Sequence, residues 1–296
     1  MLSKPRLTWE KIELKLRTPF RIAYGADEVR IAHWLRLAGD SGWGEGTIPP
    51  YYGISAESMA VVWQRAAASL APFPERVEDI PAWVGTDGPA PARCALELAL
   101  LDRLGKELDQ PLFQLLGLPE PRSLVTSFTI TIDTPEIMAE QALRVPDYPV
   151  LKVKLGSEDD ESRIAAIRKA RPDAMLRVDA NAGWSLPQAL EMTQRLAAYD
   201  LEMIEQPLPR TMIAEMGVVQ AATSIPVVAD ESVQTLADVH ALGQAGVQGI
   251  NLKLMKVGGI LNGLEMLRVA QHYNMRVMLG CMVETSLGVT AMAHLS

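Results

Sequence analysis

The chain has 296 residues, 48% of them hydrophobic and 22% charged, which is enough to bury a large core and excludes a disordered or collagen-like chain. A formal net charge of −8, with no basic tail or run, argues against nucleic-acid and anionic-membrane partners. Two cysteines make no disulfide framework, the N-terminal stretch lacks the apolar core of a secretion signal and no apolar run of roughly 18 residues follows, so a soluble protein in a reducing cytoplasm is expected.

In chain order, LTWEKIELKL and VRIAHWLRLAG alternate apolar and polar residues and predict two antiparallel strands joined by a long loop, TPFRIAYGADE. A third short strand is expected around Trp43 and Glu45. The Ala- and Leu-rich stretches SAESMAVVWQRAAASLAPF and PAPARCALELALLDRLGKELDQPLFQLLG predict packed helices. Residues 1–120 therefore read as a small α+β capping domain, ending at PEPRS.

From residue 121 to 296 the pattern changes to strand and helix in alternation. SLVTSFTITI, VLKVKLG, MLRVDAN, LEMIEQP, IPVVADES, GINLKLMKVGG and RVMLGCMVET predict seven strands, with helical stretches between them. No GxGxxG turn follows the first strand, and candidate active groups lie on many successive strands. A TIM-type barrel is favoured over an open doubly wound sheet. After MVETSLGVTAMAHLS no eighth strand can be read, so the barrel is expected to be incomplete in this chain.

Asp179, Glu205 and Asp230 recur at intervals of 26 and 25 residues, each just after a short apolar run. Strand ends repeated at that period converge on one mouth of a barrel, and three carboxylates meeting there suit a hard divalent ion such as Mg²⁺. Lys152 and Lys154, two residues apart, share the interior face of one strand, as do Asn251 and Lys253 on another. The acidic strands lie between these two, so amines would approach the metal from opposed walls. Abstraction of a proton alpha to a carboxylate builds charge on its oxygens, which a cation offsets, while one lysine takes the proton and the other returns it on the opposite face. For Lys154 to act as base its pKa is expected to be depressed by Lys152 and the metal.

A single strand-end carboxylate is often a cap or salt-bridge partner, and strand-end lysines are often solvated; regular recurrence favours the site. Asn181, Asn251, Lys256 and Glu284 read equally as supporting hydrogen-bond or charge partners. Cys94 and Cys281 read as core thiols, and the four histidines as structural or surface groups, which disfavours a histidine-centred hydrolase. Gly258 and Gly259 suit a tight turn better than a phosphate cradle.

KVK at 152–154, DAN at 179–181, EQP at 205–207, DES at 230–232, NLKLMKVGG at 251–259 and GCMVET at 280–285 resemble the enolase superfamily. The similarity is to its muconate-lactonizing-enzyme-like subgroup, most closely to dipeptide epimerases of the L-Ala-D/L-Glu type. It implies a modified (β/α)7β barrel with an N-terminal cap, Mg²⁺ held by Asp179, Glu205 and Asp230, acid/base catalysis by Lys154 and Lys253, and assistance from Lys152. It further implies that TPFRIAYG is a mobile capping loop whose Arg21 pairs with a substrate carboxylate. Thr129, Lys152, Asn181, Cys281 and Glu284 are the remaining candidate substrate contacts. The subgroup's Asp-x-Asp pair for a dipeptide ammonium, at the end of an eighth strand, is not in this sequence. The implied activity is epimerisation of a dipeptide such as L-Ala-Glu in cell-wall peptide recycling, by a protein for which a homo-oligomer is allowed. A muconate-type cycloisomerase, an o-succinylbenzoate synthase and an inactive binding or scaffold protein are the alternatives.

Overall fold

The computed structural model describes residues 6–23 and 25–296. Its first sheet is antiparallel, in the order β1 (Leu7–Ile22), β2 (Gly25–Leu37), β3 (Trp43–Thr47). The segment expected as a capping loop instead prolongs the hairpin. After a register slip between Lys15 and Phe20, Phe20 pairs with Asp27, Arg21 with Ala26 and Ile22 with Gly25. Pro19, which has no N–H to give, falls within that slip on an edge strand, where its missing donor breaks no ladder. Tyr24, within the same motif, lies outside the described residues.

Helices α1 (Ala56–Ala68), α2 (Ile80–Val84), α3 (Ala90–Leu108) and α4 (Leu112–Leu115) follow. Gly44 and Gly46 on β3, with Gly42 just before it, alternate because α3 lies directly on this strand: a Cβ at Gly44 would stand 1.9 Å from the Ala95 carbonyl oxygen. Ala92, Ala95 and Ala99 on α3 are fully buried and allow the same approach from the helix side.

The second sheet is parallel, with seven strands in sequence order: β4 (Phe128–Ile130), β5 (Val150–Lys154), β6 (Met175–Asp179), β7 (Leu201–Glu205), β8 (Val227–Ala229), β9 (Gly249–Leu252) and β10 (Arg276–Leu279). The crossover helices are α5 (Pro135–Leu143), α6 (Asp160–Ala170), α7 (Leu186–Leu196), α8 (Ile213–Ala221), α9 (Leu236–Gln244) and, after the short α10 (Leu254–Val257), α11 (Ile260–His272); α12 (Ser286–Ala293) follows β10. This is the expected seven-stranded curled sheet with an antiparallel cap. Two strands are shorter than their apolar runs suggested. β4 keeps only three residues, since it pairs with β5 alone and leaves Leu124 and Val125 60% and 63% exposed. GINLKLMKVGG leaves the sheet at Leu252 and winds into α10.

Period-two alternation sorts the barrel. Leu151, Val153, Leu176, Val178, Ile204, Ile250 and Leu252 are fully buried in the core with the helices, each contributing about 1.5–3 kcal/mol. Lys152 and Lys154 necessarily point the other way, into the barrel.

Two buried carboxylates of the N-terminal layer lock it to the barrel. Glu97 on α3 accepts the N–H groups of Ile260 and Leu261 at the start of α11. Glu45 on β3 accepts from the Thr285 and Gly288 N–H groups at the start of α12. Each fills a helix N-terminus, where unpaired donors and the helix dipole favour an acid. The Gly258–Gly259 turn therefore presents α11 to Glu97, as a tight turn and not as an open cradle: a Cβ at Gly259, whose φ is +132°, would lie 2.2 Å from Glu97 Oε1.

Burial pushes the Glu97 carboxyl up to about 7, against the pull of the Leu261 and Ile260 N–H groups. With the folded pKa above the ordinary 4.5, the protonated form is the one that folding favours, so this stabilisation is full below about 4.5 and is lost as pH rises through about 7. Glu97→Gln, which keeps an acceptor without the charge, is expected to lose less stability over that interval than the wild type, by up to about 3 kcal/mol in chemical denaturation. Parallel pH profiles for the two proteins would exclude this role.

Candidate active site

Lys154, Asp179 and Glu205 end neighbouring strands and are paired in register, Lys154 with Asp179 and Asp179 with Glu205. Asp230 comes directly after β8 and Lys253 directly after β9. The three carboxylates are essentially fully buried, and one oxygen from each lies within 4.8 Å of the others. In octahedral Mg²⁺ coordination, oxygens at about 2.1 Å from the ion are roughly 3–4 Å apart, so only a small closure separates the trio from that geometry.

Buried amines surround them. Lys152 and Lys154 converge on one oxygen, Asp179 Oδ2, at 2.8 and 2.7 Å. Lys152 also stands 2.7 Å from the Glu205 carboxylate, and Asn251 Nδ2 donates to Glu205 Oε1 at 2.9 Å. On the far side Lys253 donates to Asp230 Oδ2 at 2.6 Å, while Lys256 donates to Asp230 Oδ1 and to the Asp230 and Asn251 carbonyls. Three strands, β6, β7 and β8, separate the Lys154 strand from the Lys253 strand.

These charges divide the trio. Burial would raise Asp179 and Asp230, but Lys152 and Lys154 outweigh it at Asp179, and Lys253 and Lys256 at Asp230, holding both below the usual carboxylate range. At Glu205 burial prevails, helped by Asp179, and the carboxyl is raised. Burial alone would lower Lys152 and Lys253; Asp179 and Glu205 hold Lys152, and Asp230 holds Lys253, above the usual lysine range. Among the described residues Glu205 meets one lysine, Lys152, with Nζ 2.7 Å from Oε2, whereas Asp179 and Asp230 each meet two. An all-oxygen trio with one member short of positive charge fits a hard divalent cation.

Residues 137–296 match the family described as Enolase C-terminal domain-like. An L-Ala-D/L-Glu epimerase of Bacteroides thetaiotaomicron is 36% identical, over 99% of this chain and 78% of its own length. The chain belongs to the enolase superfamily.

Among solved structures, a dipeptide epimerase from Enterococcus faecalis V583, complexed with Mg and L-Leu-L-Tyr, superposes with a TM-score of 0.92 at 31% identity, covering 98% of this chain and 86% of that one. An N-succinyl Arg/Lys racemase from Bacillus cereus superposes at 0.91 with 28% identity, covering 98% and 82%. The metal-binding constellation that the superfamily resemblance implied at Asp179, Glu205 and Asp230 is thus present as a cluster able to hold an ion.

The other candidates are placed unevenly. Thr129 pairs with Lys152 in register and so shares its interior face. Asn181, 2% exposed, accepts from Lys154 Nζ at 3.0 Å. Arg21 sits on the hairpin tip and pairs with Asp133 at 2.9 Å, with half its side chain in solvent. Beside it Phe20 has its ring centroid 5.7 Å from Lys154 Nζ, so the tip does cover the mouth. Glu284 turns back to accept the Met282 N–H at 2.9 Å, and burial pushes its carboxyl up to about 7. Cys94 is buried as expected, but Cys281 is exposed and not a core thiol, because it follows the edge strand β10.

Sequence reasoning passed over four contributors. Gln206 spans from β7 to the segment after β8, accepting the Asp230 and Ser232 N–H groups on Oε1. Glu231 accepts from Asn181 Nδ2 at 3.1 Å. Tyr51 and Tyr52, after β3, are raised chiefly by burial, Tyr51 to about 12, and both feel Lys253 and Asp230. EQP and DES contained the first two in plain view, as polar residues beside metal-ligand candidates; the tyrosines gave no signal, since their proximity depends on docking of the cap.

Proposed function

We propose that the protein is an Mg²⁺-dependent epimerase of dipeptides such as L-Ala-L-Glu, working by α-proton transfer between two lysines through an enediolate. One observation carries the reading: buried Lys154 and Lys253 flank the acidic trio with three strands between them. A single-base site needs no second amine on the far wall. The similarity to dipeptide epimerases supports the substrate class.

A divalent cation held by Asp179, Glu205 and Asp230 would supply the positive charge against which a substrate carboxylate can take on a second negative charge. The chain's own groups do the rest. Neutral Lys154 accepts the α-proton from one face, and the Lys253 ammonium donates a proton to the other, inverting the centre; the reverse reaction exchanges their roles. Lys152, fixed between Asp179 and Glu205, keeps those ligands in place and adds positive charge beside Lys154. Arg21 at the tip is a polar contact available to a substrate side chain, and Thr129, Asn181, Cys281 and Glu284 complete the proposed substrate contacts. No helix among the described residues is long and apolar enough to cross a membrane, and we place the activity in the cytoplasm, in the turnover of cell-wall peptides.

Incubation with L-Ala-L-Glu and Mg²⁺ in deuterated water is expected to put deuterium at the Glu α-carbon and to accumulate L-Ala-D-Glu, read by proton NMR and chiral chromatography. L-Leu-L-Tyr and N-succinyl-lysine belong in the same panel. Turnover of the succinyl compound alone would replace the dipeptide assignment with an N-acylamino-acid racemase, and exchange on none of the three would remove the reading.

A further inference from the structure

Asn181 uses both ends of its side chain. Its backbone takes a left-handed conformation, φ 44°, which asparagine tolerates, and its N–H donates to Asp179 Oδ1 at 2.9 Å, fixing where the side chain starts. Oδ1 then accepts from Lys154 Nζ at 3.0 Å, and Nδ2 donates to Glu231 Oε1 at 3.1 Å. Both residues are buried, Asn181 2% and Glu231 5% exposed, and Glu231 Oε2 has no hydrogen-bond partner among the described residues.

A carboxamide and its reversed form fill the same volume, so packing cannot choose between them; the neighbouring donors and acceptors must. With Lys154 as an ammonium, both neighbours enforce the observed orientation, because reversal would set NH₂ against NH₃⁺ and oxygen against carboxylate. The balance changes when Lys154 is the neutral base. A neutral amine has a lone pair, and a reversed Asn181 would donate Nδ2–H into it, occupying the pair that must accept the substrate proton. Only Glu231, which still requires a donor at Nδ2, then opposes reversal.

We infer that Glu231 is a positioning residue that holds Asn181 with Oδ1 toward Lys154 and so keeps the Lys154 lone pair open to the α-proton. The inference rests on Lys154 acting as proposed above. Its signature is one-sidedness: Lys253 bonds to Asp230 and not to Asn181, so the proton step on its face does not depend on this amide.

The test compares Glu231→Leu and Glu231→Gln with the wild type in the Mg²⁺-loaded protein. Single-turnover α-proton exchange in deuterated water is measured separately for the two epimers of Ala-Glu. Glu231→Leu is expected to slow exchange at the face served by Lys154 tenfold or more, and to slow the Lys253 face, which the Glu231 charge also reaches, at least fivefold less than that. Glu231→Gln, whose carbonyl can still accept from Nδ2, is expected to restore most of the loss. Added to Asn181→Ala, Glu231→Leu should cost nothing further. Equal loss on both faces, no loss on either, or additive losses would each overturn the inference.

A second readout needs no catalysis. In protein labelled with ¹⁵N-asparagine, one Asn181 side-chain amide proton is expected downfield in the wild type, through its bond to the Glu231 carboxylate, and upfield of that in folded Glu231→Leu. An unchanged resonance would overturn Glu231's hold on Asn181 even if no substrate of the panel were turned over, in which case the exchange data would count against the proposed function and not against this contact.

Discussion

Lys253→Ala is expected to abolish epimerisation while leaving α-proton exchange of one epimer largely intact. Lys253 is the first residue beyond β9, its Nζ is held by Asp230 at 2.6 Å, and the Lys154 strand lies across β6, β7 and β8 from it. Removing an acid/base group costs roughly 10²–10⁴-fold in the step it serves. The epimer whose α-hydrogen faces residue 253 should lose exchange by that factor. Its partner still meets Lys154, which can remove a proton and return a deuteron to the same face, giving exchange with retention. Net inversion disappears in both directions because each direction needs both amines. The measurement is deuterium uptake into each epimer separately, with stereochemistry followed in parallel. Equal, mild losses for the two epimers would remove Lys253 from the chemistry.

The second large effect concerns Glu205. Its carboxyl is fully buried and raised by burial and by Asp179, so its ionisation weighs against the folded state when no cation is bound. Glu205→Gln keeps the shape and relieves that repulsion. The metal-free variant is expected to be at least as stable as the wild type at neutral pH, and it should lose what the wild type gains from Mg²⁺. For the wild type that gain is about 2.7 kcal/mol at a hundred times the dissociation constant, or several degrees in Tm for a chain of this size. Exchange activity should fall by at least about 10²-fold, since the charge that offsets the enediolate is no longer held correctly. Melting curves with Mg²⁺ or with a chelator separate the two consequences. A variant that still gains the full Mg²⁺ stabilisation would take Glu205 out of the ligand set.

The trio was legible in the sequence because β-strands and their crossover helices repeat at a nearly constant length, which turned two intervals of 26 and 25 residues into one place in space. Parity did the same for Lys152 and Lys154. What sequence left hidden depends on contacts between distant segments. Glu97 meets Ile260 across 163 residues and Glu45 meets Thr285 across 240, and neither glutamate differs locally from a solvated one. LKLMKV read as a strand because its apolar residues alternate, yet beyond Leu252 the chain turns into α10 and buries Lys256 under Asp230. TPFRIAYG read as part of a long loop from its glycine; a slipped register accommodates Pro19 and lets pairing resume. Cys281 looked internal from its apolar neighbours, which say nothing of its place beside an edge strand.

The two glutamate joints also set the N-terminal layer and its ribbon tip apart in how firmly they are held. Tilting the whole N-terminal layer would strand the main-chain donors of Ile260, Leu261, Thr285 and Gly288, each at about 1–3 kcal/mol. The ribbon tip is fastened far more lightly, by the Ile132 N–H donating to the Arg21 carbonyl at 3.1 Å, worth about 0.5–1.5 kcal/mol, and by the half-solvated Arg21–Asp133 pair, worth at most about 1 kcal/mol. Lifting the ribbon beyond the slip after Lys15 is therefore expected to cost less than tilting the layer, and Phe20, 5.7 Å from the Lys154 amine, is the side chain such a movement would carry away from it.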